Sequence, residues 1–260
     1  MRQSGLEGRI ALVTGGSGGI GKAISLTLAA TGAAVAVLGR DPLKGKEIER
    51  QIRNSGGTAV FYQADIGKPD TVESAISQIQ ARLGSVDILV NNAAVSGFMG
   101  PVVKTPLTEL EKVLRVNLVG VFHLSSLVLP RMMENRFGRI INISSVAYKK
   151  NSPHTATYNM SKAALNTFTK TLSKEVASYG ITVNAVAPGL VLTDRIKSSR
   201  LPFMAEQEGL SQDELLRRLE NETDTKRLSR EMDVAALVNF LSSSGAQNIT
   251  GSIVDVAGGF

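Results

Sequence analysis

The chain has 260 residues, 43% apolar and 20% charged, with a formal net charge of +6, two histidines and no cysteine. That apolar content supplies a full core, while the missing cysteines exclude disulfides and thiolate zinc sites, and two histidines are too few for a histidine cage or triad, so no metal is expected. No run is long enough to cross a membrane, Met1–Gly8 lack the apolar centre of a secretory signal, and the basic residues are scattered, with eight of each sign between Asp194 and Arg230; a cytoplasmic protein bound to neither membrane nor nucleic acid is expected.

In chain order, the first β-branched run, Ile10–Val13, leads through Thr14-Gly15-Gly16-Ser17-Gly18-Gly19-Ile20-Gly21 into an amphipathic stretch, Ile20–Ala30. Glycines let a backbone approach a pyrophosphate, and a helix N-terminus offers free N–H groups and partial positive charge. In this strand–turn–helix setting the turn reads as a dinucleotide cradle. The second strand, Ala34–Leu38, ends in Gly39-Arg40-Asp41. An acid there addresses a free ribose hydroxyl, and a base accommodates a 2′-phosphate. Arg40, with room left by Gly39, favours NADP(H); an NAD(H) site using Asp41 stays open, with Arg40 then facing solvent or pairing with Asp41.

Strands follow at Ala59–Tyr62, Ile88–Val90, Ile140–Ile143, Thr182–Val186 and Ile253–Val256, alternating with helical stretches Pro69–Arg82, Thr108–Met133 and Thr155–Ser178. The alternation predicts an α/β fold: a single domain spanning 1–260, a Rossmann-type doubly wound parallel sheet of about seven strands with helices on both faces. The rhythm breaks between Leu192 and Ser229, where Ser211 is positioned to cap a helix running to Glu220. An insertion beyond a strand's carboxyl end reads as a substrate lid, with a solvated excursion as the alternative.

The chemistry concentrates in Tyr158-Asn159-Met160-Ser161-Lys162, with Ser145 thirteen positions before Tyr158. Lys162 falls one helical turn after Tyr158, and its charge favours a phenolate in a residue whose pKa is ordinarily about 10. A serine hydroxyl beside the phenol could hold the oxygen of a carbonyl or alcohol; Ser144 is the rival to Ser145.

These residues resemble the short-chain dehydrogenase/reductase family over nearly the whole chain, closest in look to 3-oxoacyl-acyl-carrier-protein reductases, with a secondary likeness to 3-hydroxybutyrate-type dehydrogenases. The resemblance implies cofactor contacts from Gly15, Ser17, Gly19, Ile20, Gly21 and Arg40. It adds Asp65 and Ile66 beside the adenine, Asn92 and Ala93 after the fourth strand (with Ala94 where the family more often has glycine), Tyr158 and Lys162 at the ribose, and Pro188, Gly189, Val191 and Thr193 at the carboxamide. It implies a catalytic set of Asn117, Ser145, Tyr158 and Lys162, in which Tyr158 passes the proton, Ser145 steadies the oxygen and Asn117 fixes a water. The alternative for Asn117 is a helix-interior residue bonding backbone.

The implied activity is NADPH-dependent reduction of a β-keto, 3-oxoacyl-type carbonyl on a small molecule or acyl thioester. An NAD-dependent dehydrogenase of a secondary alcohol, 3-hydroxy acid or sugar is the second reading, and a non-catalytic cofactor-sensing scaffold the third. Arg136 falls where the carrier-protein reductases dock their acidic carrier, but the second docking arginine is here Tyr179. Phe203, Met204, Leu210, Leu215 and Leu216 are expected either at an apolar mouth or in ordinary core, and His154 near the substrate mouth. The family also implies a homotetramer, consistent with extra apolar residues on Leu118–Leu129 and Ala163–Leu172.

Overall fold

Seven apolar runs become seven parallel strands, β1 Ile10–Thr14, β2 Ala34–Gly39, β3 Thr58–Gln63, β4 Ile88–Asn91, β5 Gly138–Ile143, β6 Ile181–Pro188 and β7 Ile253–Val256. The computed structural model describes residues 5–259; Met1–Ser4, part of the segment read for a leader, and Phe260 lie outside the described residues. Strands buried on both faces read as continuous apolar runs, which is why β1, β4, β5 and β6 were legible. Their order is β3-β2-β1-β4-β5-β6-β7, so the direction of winding reverses between β1 and β4, and a crevice opens beyond their carboxyl ends.

Helices cover both faces. Ile24 and Leu28 of α1 (Gly19–Ala30) and Ile48 and Ile52 of α2 (Pro42–Asn54) pack one face together with residues of the last helix. The other face carries Ile76 and Ile79 of α3 (Pro69–Arg82) with residues of two later helices. Helix α2 escaped the sequence reading because it is polar, though its start was written in Asp41-Pro42. The Asp41 carboxylate accepts the amides of Leu43 and Lys44 at 3.0 and 3.1 Å, with Pro42 opening the helix.

The stretch expected as one helix at Thr108–Met133 is broken into α4 (Leu107–Leu114), a wide π turn (Arg115–Val119) and α5 (Gly120–Glu134). Together they form a 28-residue helix long and apolar enough to cross a membrane by length and composition alone, contrary to the expectation that no such run exists. Its Leu124, Val128 and Met132 sit in the sheet's core, as a core helix requires. After β5 come the short α6 (Ala147–Lys150) and α7 (Ala156–Val176), which extends into a 3-10 turn at Ala177–Tyr179 and adds Leu172 and Val176 to the same core.

The segment from 192 to 229 holds a π turn (Ile196–Arg200), α8 (Leu201–Glu208) and α9 (Gln212–Glu222). Ser211 caps α9 as expected, in a box with Glu214. Leu201, Ala205, Leu215, Leu219 and Leu228 give this segment a small core of its own. Helix α10 (Glu231–Ser242) then returns Val234, Val238 and Leu241 to the first face.

Candidate functional site

A cleft of about 540 Å³ opens beyond the carboxyl ends of the central strands and is lined by the glycine turn on one side and by Ser145, Tyr158 and Lys162 on another. The turn is built for close approach. Gly15 holds φ +61°, and a Cβ on Gly21 would stand 2.1 Å from the Gly15 carbonyl oxygen. The turn is locked to the segment after β4: Asn92 Nδ2 donates to the Thr14 carbonyl at 2.9 Å, and the amides of Asn92 and Ala93 donate to Thr14 Oγ1 at 2.9 and 3.0 Å. Asn92 thus spends its amide on the protein's own backbone while its segment lines the cleft.

At the β2 end the lining includes Ser17, Arg40, Asp41 and Lys44. Asp41 is committed to capping α2 through Oδ1, and no ion pair joins it to Arg40 among the described residues. Asp65 accepts the Gly67 amide at 3.0 Å and lines the cleft with Ile66. On the opposite side Pro188, Gly189, Val191 and Thr193 follow β6 and also line it.

Ser145 and Ser144 are separated by their surroundings. Both line the cleft, but Ser144 Oγ is buried without a hydrogen-bond partner, whereas Ser145 also lines a smaller adjoining cavity, and its Oγ accepts the Ala147 amide at 3.2 Å. Tyr158, half-buried on α7, stands one turn before Lys162, whose Nζ is 5.6 Å from the Tyr158 ring centroid. Lys162 is 3% exposed and donates to the Ile143 carbonyl at 2.7 Å. Burial pushes its pKa down to about 7, and the nearby Arg195 guanidinium adds to the effect.

The short chain dehydrogenase family matches residues 9–202. The chain belongs to this family. It is 37% identical over 250 residues to a 3-oxoacyl-[acyl-carrier-protein] reductase FabG of Staphylococcus epidermidis, covering 96% of this chain and 97% of that one. The corresponding reductase of Salmonella typhimurium is 38% identical over 253 residues, with 97% of each chain covered. Among solved structures, NAD+-bound xylitol dehydrogenase superposes with a TM-score of 0.93 at 29% identity, covering 98% of this chain and 99% of that one. A point variant of actinorhodin polyketide ketoreductase with NADPH gives 0.92 at 34%, covering 96% of each. The protein is an NAD(P)-dependent oxidoreductase of the short-chain dehydrogenase type, moving hydride between a nicotinamide and a carbonyl–alcohol pair.

In this dehydrogenase Asn117 lies in the π turn, 1% exposed. Its Oδ1 accepts the Val95 amide at 2.9 Å, and its Nδ2 donates to the Val95 carbonyl at 2.9 Å and to Ser161 Oγ at 3.0 Å. The side chain thus joins helix, loop and α7, and it is not among the residues lining the cleft. His154 lines neither cavity; its carbonyl accepts the Gly100 amide at 3.0 Å. Of the apolar residues expected at the mouth, Met204 lines the smaller cavity, while Leu215 is core.

Arg136 is exposed and donates to the Ser178 carbonyl at 2.9 Å. It precedes β5 whereas Ser145 follows it, so the six residues of that strand separate the two by roughly 20 Å at the ordinary strand rise. Arg136 thus lies at the far end of the sheet from this chain's own Ser145. Sequence reading missed Lys44, Arg195 and Arg200, which line the cleft. Lys44 lies in the first turn of α2, the polar helix whose start was marked only by Asp41-Pro42, and Arg195 and Arg200 sit in the irregular segment, where no pattern marks direction.

Proposed function

We propose that this short-chain dehydrogenase carries out NADPH-dependent reduction of a β-keto, 3-oxoacyl-type carbonyl. The observation that carries the reading is the convergence of Ser145, Tyr158 and Lys162 on a cleft that the glycine turn also lines. The residues present suit a nicotinamide dinucleotide. The glycine cradle would be filled by a single Cβ at Gly21, and the cations Arg40 and Lys44 at β2 lie three strand positions from the Ser145 end of β5, about 14 Å at the usual strand spacing.

When bound, the nicotinamide supplies the hydride. Tyr158 gives its proton to the carbonyl oxygen, and Ser145 Oγ donates a hydrogen bond to that oxygen as charge develops. In its protonated form Lys162 favours the Tyr158 phenolate and, with Tyr158, addresses the ribose. Asn117 acts as a positioning residue, tying the π turn to the Ser161 end of the Tyr158–Lys162 segment. The segment 192–229 serves as the substrate lid, with Arg195 Nη1 reaching across to the Ala94 carbonyl at 2.8 Å. The same reading makes the protein a single-domain, cytoplasmic enzyme and a homotetramer, the last supported by the outward apolar face of α5.

NAD(H) use with a secondary alcohol, 3-hydroxy acid or sugar is the second reading, favoured by the likeness to NAD+-bound xylitol dehydrogenase. A fluorescence titration with NADPH and with NADH decides between them. Tighter NADPH binding by about tenfold, roughly 1.4 kcal/mol, lost in Arg40→Ala, is expected. Tighter NADH binding, unchanged in Arg40→Ala, would give the second reading, and absence of binding by either would revive a scaffold.

A further inference from the structure

A smaller cavity of about 110 Å³ adjoins the cleft at Ser145, Gly189 and Leu190, its walls otherwise largely apolar through Met204, Leu219 and Leu228. One cation stands in it without a counterpart. Arg200, half-buried at the end of the π turn, lines both cavities; its Nε is fully buried with no hydrogen-bond partner, and no ion pair to it occurs among the described residues. Arg218 on the neighbouring α9, by contrast, pairs with Glu208 and Glu222. A planar guanidinium with an unsatisfied donor inside a largely apolar pocket is costly unless it meets an acceptor, and its fork matches a carboxylate.

Lys150 lines the same cavity. Its pKa is lowered, by burial first, with Glu222 raising it and Arg200 lowering it again, so two cations and one acid lie within electrostatic reach at this mouth. The volume amounts to only a few waters' share of liquid, which suits a short substrate.

We propose that Arg200 is a specificity-determining residue that takes the carboxylate of a short 3-oxo acid whose reacting carbonyl sits at Ser145. The assignment rests on the carbonyl-reducing function proposed above and narrows its substrate from 3-oxoacyl compounds in general to the free acid. Because Ser145 and Arg200 line one small cavity, the anion and the carbonyl belong to the same few-atom unit; a phosphate at the end of a long carrier arm would lie too far off.

The test compares 3-oxobutanoate with its methyl ester and its N-acetylcysteamine thioester, using the full-length protein and whichever nucleotide it binds. The acid is expected to exceed both neutral forms by tenfold or more in kcat/KM, through KM. Arg200→Gln should reduce that preference at least tenfold, and Arg200→Lys should restore part of it. A wild type that prefers the neutral thioester, or an Arg200→Gln protein that keeps the acid preference, would overturn the proposal, as would a variant whose only loss is in nucleotide affinity. Calorimetric titration of the nucleotide-loaded protein with 3-hydroxybutanoate and its amide reads the same subsite without turnover. Acid-selective binding abolished in Arg200→Gln supports the subsite even where no carbonyl is reduced, in which case the reductase reading alone has failed; equal binding of acid and amide overturns it.

Discussion

At the scale of the residue, Lys162 links chemistry to stability. Its ordinary pKa of 10.5 falls to about 7 in the folded cleft. Between those two values the unfolded chain holds a proton that the folded chain has released, so unfolding free energy rises with pH across that window. Below about 7 the folded protein bears the full cost of a charged, buried ammonium, on the order of a few kcal/mol. Denaturant midpoints of the cofactor-free protein should therefore increase from pH 7 toward 10, and Lys162→Met should flatten the rise. An identical pH slope in the variant would remove Lys162 as its source. The sequence already put Tyr158 and Lys162 on one helical face, because a four-residue spacing does so whatever the tertiary context. It was silent on Arg195, whose field at Lys162 depends on how the 192–229 segment folds back.

At the scale of the element, the glycine turn and the π turn do the positioning. With Gly15 carbonyl oxygen 2.1 Å from a Cβ at position 21 and Asn92 Nδ2 2.5 Å from it, Gly21→Ala must open the turn or push α1 away. Nucleotide affinity should fall at least tenfold, and the melting temperature should drop by several degrees, the response to about 1–2 kcal/mol in a chain this long. Wild-type nucleotide affinity in this variant would show that the turn is not the cradle. Strands were legible because their runs are mostly apolar and β-branched, and α9 because Ser211 and Glu214 form a local box. The break in the long helix was not legible. The turn is pinned by Asn117 reaching Val95 and Ser161, and next to it Gly120 packs so closely that a Cβ would stand 2.4 Å from the Ile66 carbonyl oxygen. Neither contact has a periodic signature in the sequence.

At the scale of the whole molecule, the inner face of α5 is consumed by the sheet, yet Val119 and Phe122 remain 55% and 58% exposed, with Phe122 against Phe168 of α7 at 5.6 Å between ring centroids. Such outward apolar side chains suit burial against another copy. Light scattering of the purified protein should give four times the chain's 27.6 kDa, and Phe122→Arg should shift it to a smaller species. A monomeric wild type at micromolar concentration would count against the proposed tetramer while leaving the site untouched.

The most direct test of the proposed chemistry is turnover by Tyr158→Phe, measured as nucleotide oxidation with a 3-oxo substrate alongside nucleotide binding. Removing one hydroxyl from a half-buried ring leaves the packing of α7 intact, so binding should stay within a few-fold of wild type while kcat falls by at least about a hundredfold, the lower range for a lost proton donor. Retention of more than about a percent of wild-type turnover with binding unchanged would contradict Tyr158 as the group that delivers the proton.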